Sequence, residues 1–132
     1  MSGKNGSFCT HVGCMDGRVQ EAVIDYAKKT FHVKFVDTIT EAGIAGVLAR
    51  SDKDCNTYKS IKSKLEISTK KHLSLNVIIE GHQDCAGNPV SREKQIEDIK
   101  KSVTKVKEML DKKINVQGLY VELSPKVKII EV

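Results

Sequence analysis

Two short stretches of this 132-residue chain carry side chains that could act on a substrate or hold an ion. In the first, Gly13-Cys14-Met15-Asp16-Gly17-Arg18-Val19, a thiol, an acid and a base stand at alternate positions. The second, Gly81-His82-Gln83-Asp84-Cys85, sets an imidazole and a thiol at His-x-x-Cys spacing. One tight turn can present both ends of such a pair to a single point. With a thiolate from elsewhere they would form a sulfur- and nitrogen-rich set suited to Zn2+. Taken alone, the pair fits two ordinary buried residues better than a metal site, because free cysteines and hydrogen-bonded histidines are common in cores.

The two stretches meet only if the fold brings them together. Residues 8–12 are short and apolar, ending at Gly13, and predict a buried strand. Residues 19–29 place Val19, Val23, Tyr26 and Ala27 at helical spacing, and residues 33–39 alternate with β-branched side chains as a second strand would. Residues 40–49, with Gly43 and Gly46, predict a turn into a short helix. Residues 56–72 predict a longer helix through Tyr58, Ile61, Leu65 and His72. A third strand at residues 75–80 stops at Gly81, directly before His82. Ser91 caps a helix whose apolar face is Ile96, Ile99, Val103, Val106 and Leu110. Two strands at 116–123 and 127–132 flank the turn Ser124-Pro125-Lys126.

Strands alternating with helices imply parallel pairing through right-handed crossovers, and the short final turn implies one antiparallel edge. The predicted fold class is therefore α/β. A mainly parallel central sheet of about five strands, in 2-1-3-4 order with an antiparallel edge strand, is flanked by helices in one domain, residues 1–132. In that order the carboxyl ends of strands 1 and 3 lie side by side where the strand order reverses, which brings Cys14 beside His82.

Composition narrows the function. A chain 39% hydrophobic and 30% charged reads as globular, neither disordered nor membrane-spanning. The net charge of +5 comes from nineteen dispersed lysines and three arginines, Arg18, Arg50 and Arg92. That is a solvated surface, without the clustered arginines and interleaved aromatics of a nucleic-acid binder. Residues 1–7 read as a polar lead-in with no secretory signal. Cys9, Cys14, Cys55 and Cys85 are too sparse for a disulfide framework, so the expected location is cytoplasmic.

With each motif following a strand, the chain resembles the β-class carbonic anhydrases, whose Cys-x-Asp-x-Arg and downstream Gly-His-x-x-Cys stand here as CMDGR and GHQDC. Gly118-Leu119-Tyr120-Val121 and the hairpin after it look like that family's closing strands. The resemblance implies that Cys14, His82 and Cys85 bind one Zn2+ and that Asp16 and Arg18 form a dyad beside it. It also implies CO2 and bicarbonate as the small-molecule substrates, and a homodimer or higher homo-oligomer. In such a site the ion makes hydroxide available near neutral pH, and Asp16, gripped by Arg18, orients it. The family also includes closed forms in which this Asp swings onto the metal, which would make the chain a non-catalytic zinc-binding or regulatory protein. A CO2 analogue such as carbonyl sulfide is a neighbouring substrate reading. Redox chemistry on Cys14 and Cys85 is disfavoured because the motif is not CxxC.

Three departures bear on pocket and subunit contacts more than on the ligands. Ile39-Thr40-Glu41-Ala42-Gly43 replaces an Arg-Asn-Ala-Gly-Asn-like segment, Gly17 replaces a frequent Ser, and only thirteen residues precede Cys14, where a helical arm is usual. Among the remaining candidates, Cys9 and His11 are read as core residues and Cys55 as structural. His32 is placed at a strand start and His72 on a helix face, shuttling protons only if they face the site. Glu41 is read as a capping or solvated carboxylate near the crevice, and Asp84 as an acceptor for the backbone of the helix that follows.

Overall fold

A computed structural model describes residues 6–132; the first five residues of the predicted lead-in lie outside the described residues. Strand β1 (Phe8–Gly13) is buried from Cys9 onward, because it runs through the middle of the sheet with helices on both faces. Helix α1 (Gly17–Phe31) returns the chain to β2 (Phe35–Thr40), an edge strand with several exposed residues. The short α2 (Ile44–Arg50) and the longer α3 (Asn56–Lys70) lead to β3 (Asn76–His82). Helix α4 (Arg92–Met109) then precedes β4 (Asn115–Glu122) and β5 (Lys128–Glu131).

The sheet order is β2-β1-β3-β4-β5, with the first four strands parallel and β5 antiparallel to β4. This is the predicted α/β arrangement. Val19, Val23 and Ala27 of α1 pack with Cys9, Ile78 and Leu119 on one face. Ile44, Leu48, Ile61, Leu65 and Val106, from the other three helices, pack with Val12, Val77 and Ile79 on the opposite one.

Register decides where the crevice opens. The β1–β2 ladder continues to Gly13 opposite Thr40, and the β3–β4 ladder to His82 opposite Val121. Between β1 and β3 the pairing stops at Val12 opposite Ile79. The two central strands thus part just before the residues that carry the motifs, at the strand-order reversal where α/β sheets form sites. Beneath the parting, His11 Nε2 and Glu80 Oε1 meet at 3.0 Å, both residues fully buried. A Cβ at Gly13 would overlap both atoms, so this pair requires glycine there.

Several element ends differ from the sequence reading, and β3 runs through Gly81 to His82. His32 does not start a strand; it closes α1 in the left-handed conformation, and β2 begins at Phe35. His72 is not on the face of α3. Leu73 at φ 60° and the Ser74 N–H bond to the Ser68 carbonyl close that helix, so Ser68 takes the fourth place in its buried stripe. Leu110 follows α4 in extended conformation, still packed against the core. Among the described residues, no helix is long and apolar enough to cross a membrane.

Candidate metal centre

Cys14 leaves the end of β1, and His82 and Cys85 flank the turn after β3. Their ligand atoms lie within 4.8 Å of one another, and all three residues are buried. The two sulfurs are 3.8 Å apart, far beyond a disulfide bond. Two zinc–sulfur bonds of about 2.3 Å at a tetrahedral ion place their sulfurs about 3.8 Å apart, so the observed spacing fits such an ion.

His82 supplies the second test of fit. Its Nδ1 lies 2.7 Å from the Gln83 carbonyl, which can only accept, so Nδ1 carries the proton. In that tautomer Nε2 holds a lone pair, and among the described residues this buried atom has no hydrogen-bond partner. A polar atom stranded in a dry interior is costly unless a ligand satisfies it. Its neighbours here are two thiols, the donor set that zinc takes.

The thiols are prepared by backbone N–H groups. Gly43 N donates to Cys14 Sγ at 3.4 Å. Burial and the nearby Cys14 push the Cys85 thiol up, against the N–H groups of Gly87 and Asn88, which favour the thiolate. Gly43 makes its bond from φ 62°, and a Cβ there would overlap the backbone of Gly87. Gly43→Ala is therefore expected to cost about 1–3 kcal/mol for the left-handed conformation alone, with the overlap adding to it. The urea midpoint measures this; an unchanged midpoint would contradict the packing described. The Cys85 loop is braced from below by buried Asn88, whose Nδ2 donates to Asp98 Oδ2 at 3.1 Å and whose carbonyl accepts from Gln95 Nε2 at 2.8 Å.

Asp16 caps α1, accepting the Arg18 backbone N–H at 2.9 Å. Arg18 Nε reaches Oδ1 at 3.0 Å and Nη2 reaches Oδ2 at 2.7 Å, a forked grip on both oxygens. These hydrogen bonds lower the Asp16 pKa to about 2, so it is ionised throughout the neutral range. Oδ2 is 3.9 Å from His82 Nε2, while Asp16 stands outside the three-ligand group. The predicted ligands and the predicted dyad are thus brought side by side.

Several candidates fall elsewhere. Glu41 is exposed, and its backbone N–H bonds the Gly13 carbonyl. His72 donates from Nδ1 to Asp37 at 2.7 Å and stacks on Phe8, at the far end of β1 from Cys14. His32 is exposed after α1. Cys9 is fully buried, as read, whereas His11 forms the pair with Glu80 that strand alternation alone did not reveal. Asp84 is corrected: its carboxylate and carbonyl accept from Arg18, a cross-motif contact that no local spacing predicts. Gln20 was also missed; its Nε2 donates to the carbonyls of Cys14 and Asp16, both at 2.8 Å, and ties the first motif to α1.

The cysteines outside the centre differ sharply. Cys9 is pushed up to about 11 by burial and by the charge of Asp37. Cys55, half-exposed at the start of α3, is lowered by the Ser51 hydroxyl and by the Tyr58 and Thr57 amides. Brief alkylation of native protein is expected to label Cys55 and to spare Cys9 until unfolding. Peptide mass mapping checks the order, and early labelling of Cys9 would contradict it.

The family model described as "Putative carbonic anhydrase" matches residues 4–131. No curated protein matches the sequence. Among solved structures, the carbonic anhydrase of Streptococcus mutans superposes with a TM-score of 0.63 at 14% identity, covering 100% of this chain and 87% of that one. The β-carbonic anhydrase CafA of Aspergillus fumigatus gives 0.62 at 13% identity, over 97% and 76% of the two chains. A tetrameric β-carbonic anhydrase from Sordaria macrospora gives 0.62 at 10%, over 97% and 81%. At these identities the superpositions speak for the fold.

Proposed function

The chain belongs to this carbonic anhydrase family, and from that premise we propose that it interconverts CO2 and bicarbonate with one Zn2+ held by Cys14, His82 and Cys85. The observation that carries the proposal is the buried, unpartnered His82 Nε2, with its tautomer set by Gln83, facing two thiols 3.8 Å apart. When bound, zinc supplies Lewis acidity, lowering the pKa of water from about 15.7 toward 7.

The chain's own residues do the rest. Two thiolates formally cancel the charge of the ion, which makes it a weaker acid than one held by three imidazoles. The Gly43 N–H draws charge from Cys14 and offsets part of that. Asp16, with its pKa near 2, is not a proton store at neutral pH; it acts as a fixed hydrogen-bond acceptor that orients the attacking oxygen. Arg18 keeps it ionised and keeps both its oxygens in place. A closed, non-catalytic site would require Asp16 to leave that grip, so the arrangement favours the open reading.

We place this activity in one domain and in a reducing compartment, the cytoplasm, in keeping with four free cysteines. A homo-oligomer is part of the reading, as in the tetrameric relative; light scattering on purified protein tests it. Stopped-flow CO2 hydration by metal-analysed protein, from about pH 6 to 9, tests the activity. Absence of turnover in fully zinc-loaded protein would overturn it, and turnover of carbonyl sulfide alone would reassign the substrate.

A further inference from the structure

Arg18 has a second partner besides Asp16. Its Nη1 donates to Asp84 Oδ2 at 3.2 Å and its Nη2 to the Asp84 carbonyl at 3.1 Å, while Nε and Nη2 hold Asp16. Asp84 sits inside the turn between His82 and Cys85 at φ 55°, a conformation that favours glycine. With that backbone, both its carboxylate and its carbonyl face the guanidinium. Arg18 is thus a strut between the two motifs.

We propose that Asp84 is a positioning residue: it pins Arg18 to the His82–Cys85 turn, and the pinned Arg18 holds Asp16 off the fourth metal position. The proposal rests on the zinc reading given above. Arg18 is half exposed on a long stem, and with Asp16 as its only partner it could move with that carboxylate. Asp84 anchors it from a different segment of chain, so Asp16 can approach the metal only by breaking its bonds to a fixed partner. The Asp84 side chain is 81% exposed, and an exposed ion pair biases an equilibrium by only a modest factor. A modest bias suits a two-state element that must remain movable.

The sign of one measurement separates this role from plain electrostatics. Deleting a carboxylate near an anion-binding metal should tighten anion binding. If Asp84 holds the site open, deleting it should weaken anion binding, because Asp16 then competes for the same position. The test uses Co2+-substituted protein and thiocyanate, followed through the visible cobalt spectrum. Asp84→Asn and Asp84→Gly are expected to weaken thiocyanate about two- to fivefold while leaving cobalt content unchanged. Glycine is at home at φ 55°, so the second variant keeps the turn while removing the carboxylate. In an Asp16→Ala background the Asp84 substitutions should no longer weaken binding.

Unchanged or tighter thiocyanate binding in the Asp84 variants would overturn the proposal. So would equal weakening with Asp16 absent. Protein that takes up no cobalt and lacks thiolate-to-cobalt absorption would instead overturn the metal reading, and the proposal with it.

Discussion

Cys14→Ser, His82→Ala and Cys85→Ser proteins are each expected to lose zinc on dialysis, retaining less than about a tenth of an equivalent where the parent protein retains one. Disturbing only the groups that orient metal ligands costs about 10–100-fold in affinity. Removing one of three direct donors should cost more, about 1,000-fold or beyond, since the remaining pair fills only half of the tetrahedral positions. His82→Ala also removes the stranded Nε2 that marks the site. The apo fold of that variant should therefore suffer less than its metal affinity does. Cys9→Ser and Cys55→Ser serve as controls, because both thiols lie outside the three-ligand group. Zinc should raise the melting temperature of the parent protein by mass action and leave that of the three ligand variants unmoved. Metal analysis by mass spectrometry reads the result, and stoichiometric zinc in Cys85→Ser would remove that residue from the ligand set.

The second large effect belongs to the buried pair under the site. His11 and Glu80 are fully buried and hold each other at 3.0 Å through Nε2 and Oε1, while among the described residues His11 Nδ1 and Glu80 Oε2 have no hydrogen-bond partner. His11→Leu strips the buried Glu80 side chain of its one partner and is expected to destabilise the fold by about 3–5 kcal/mol. Glu80→Leu leaves the His11 ring unpaired and should cost less, about 1–3 kcal/mol. The double variant should be more stable than His11→Leu alone, because replacing a buried polar pair with apolar side chains can be nearly neutral. Urea unfolding of the four proteins gives the coupling directly. Strictly additive single losses would mean that the two groups do not depend on one another. The pair lies just where the β1–β3 ladder ends, so the same variants should loosen the spacing of Cys14 and His82 and weaken zinc as well.

Much of the architecture was legible because its signals are local. Val19, Val23 and Ala27 mark the buried face of α1 by spacing alone. The run before Gly81 announces β3, and the cap at Ser91 announces α4, where its side chain accepts the Lys94 N–H at 3.2 Å. Element ends were less legible. His72 continues the apolar spacing of α3, but Leu73 and Ser74 close the helix before it. A polar Ser68 takes its place in the stripe because Thr10 and Asp37 satisfy its hydroxyl at 2.6 and 2.7 Å.

By itself, the sequence determined the order of strands and helices and the meeting of Cys14 with His82 and Cys85. Both follow from short-range periodicity and from the rule that α/β sites form at strand ends beside a reversal of strand order. Only the tertiary structure decided what surrounds that meeting point. Arg18 bridges Asp16 to Asp84, Gly43 reaches Cys14, Gln83 sets the His82 tautomer, and His11 finds Glu80. Apart from the local Gln83–His82 and Arg18–Asp16 bonds, these contacts join residues far apart in the chain. They depend on strand register and backbone angles within turns, which spacing along the sequence does not encode.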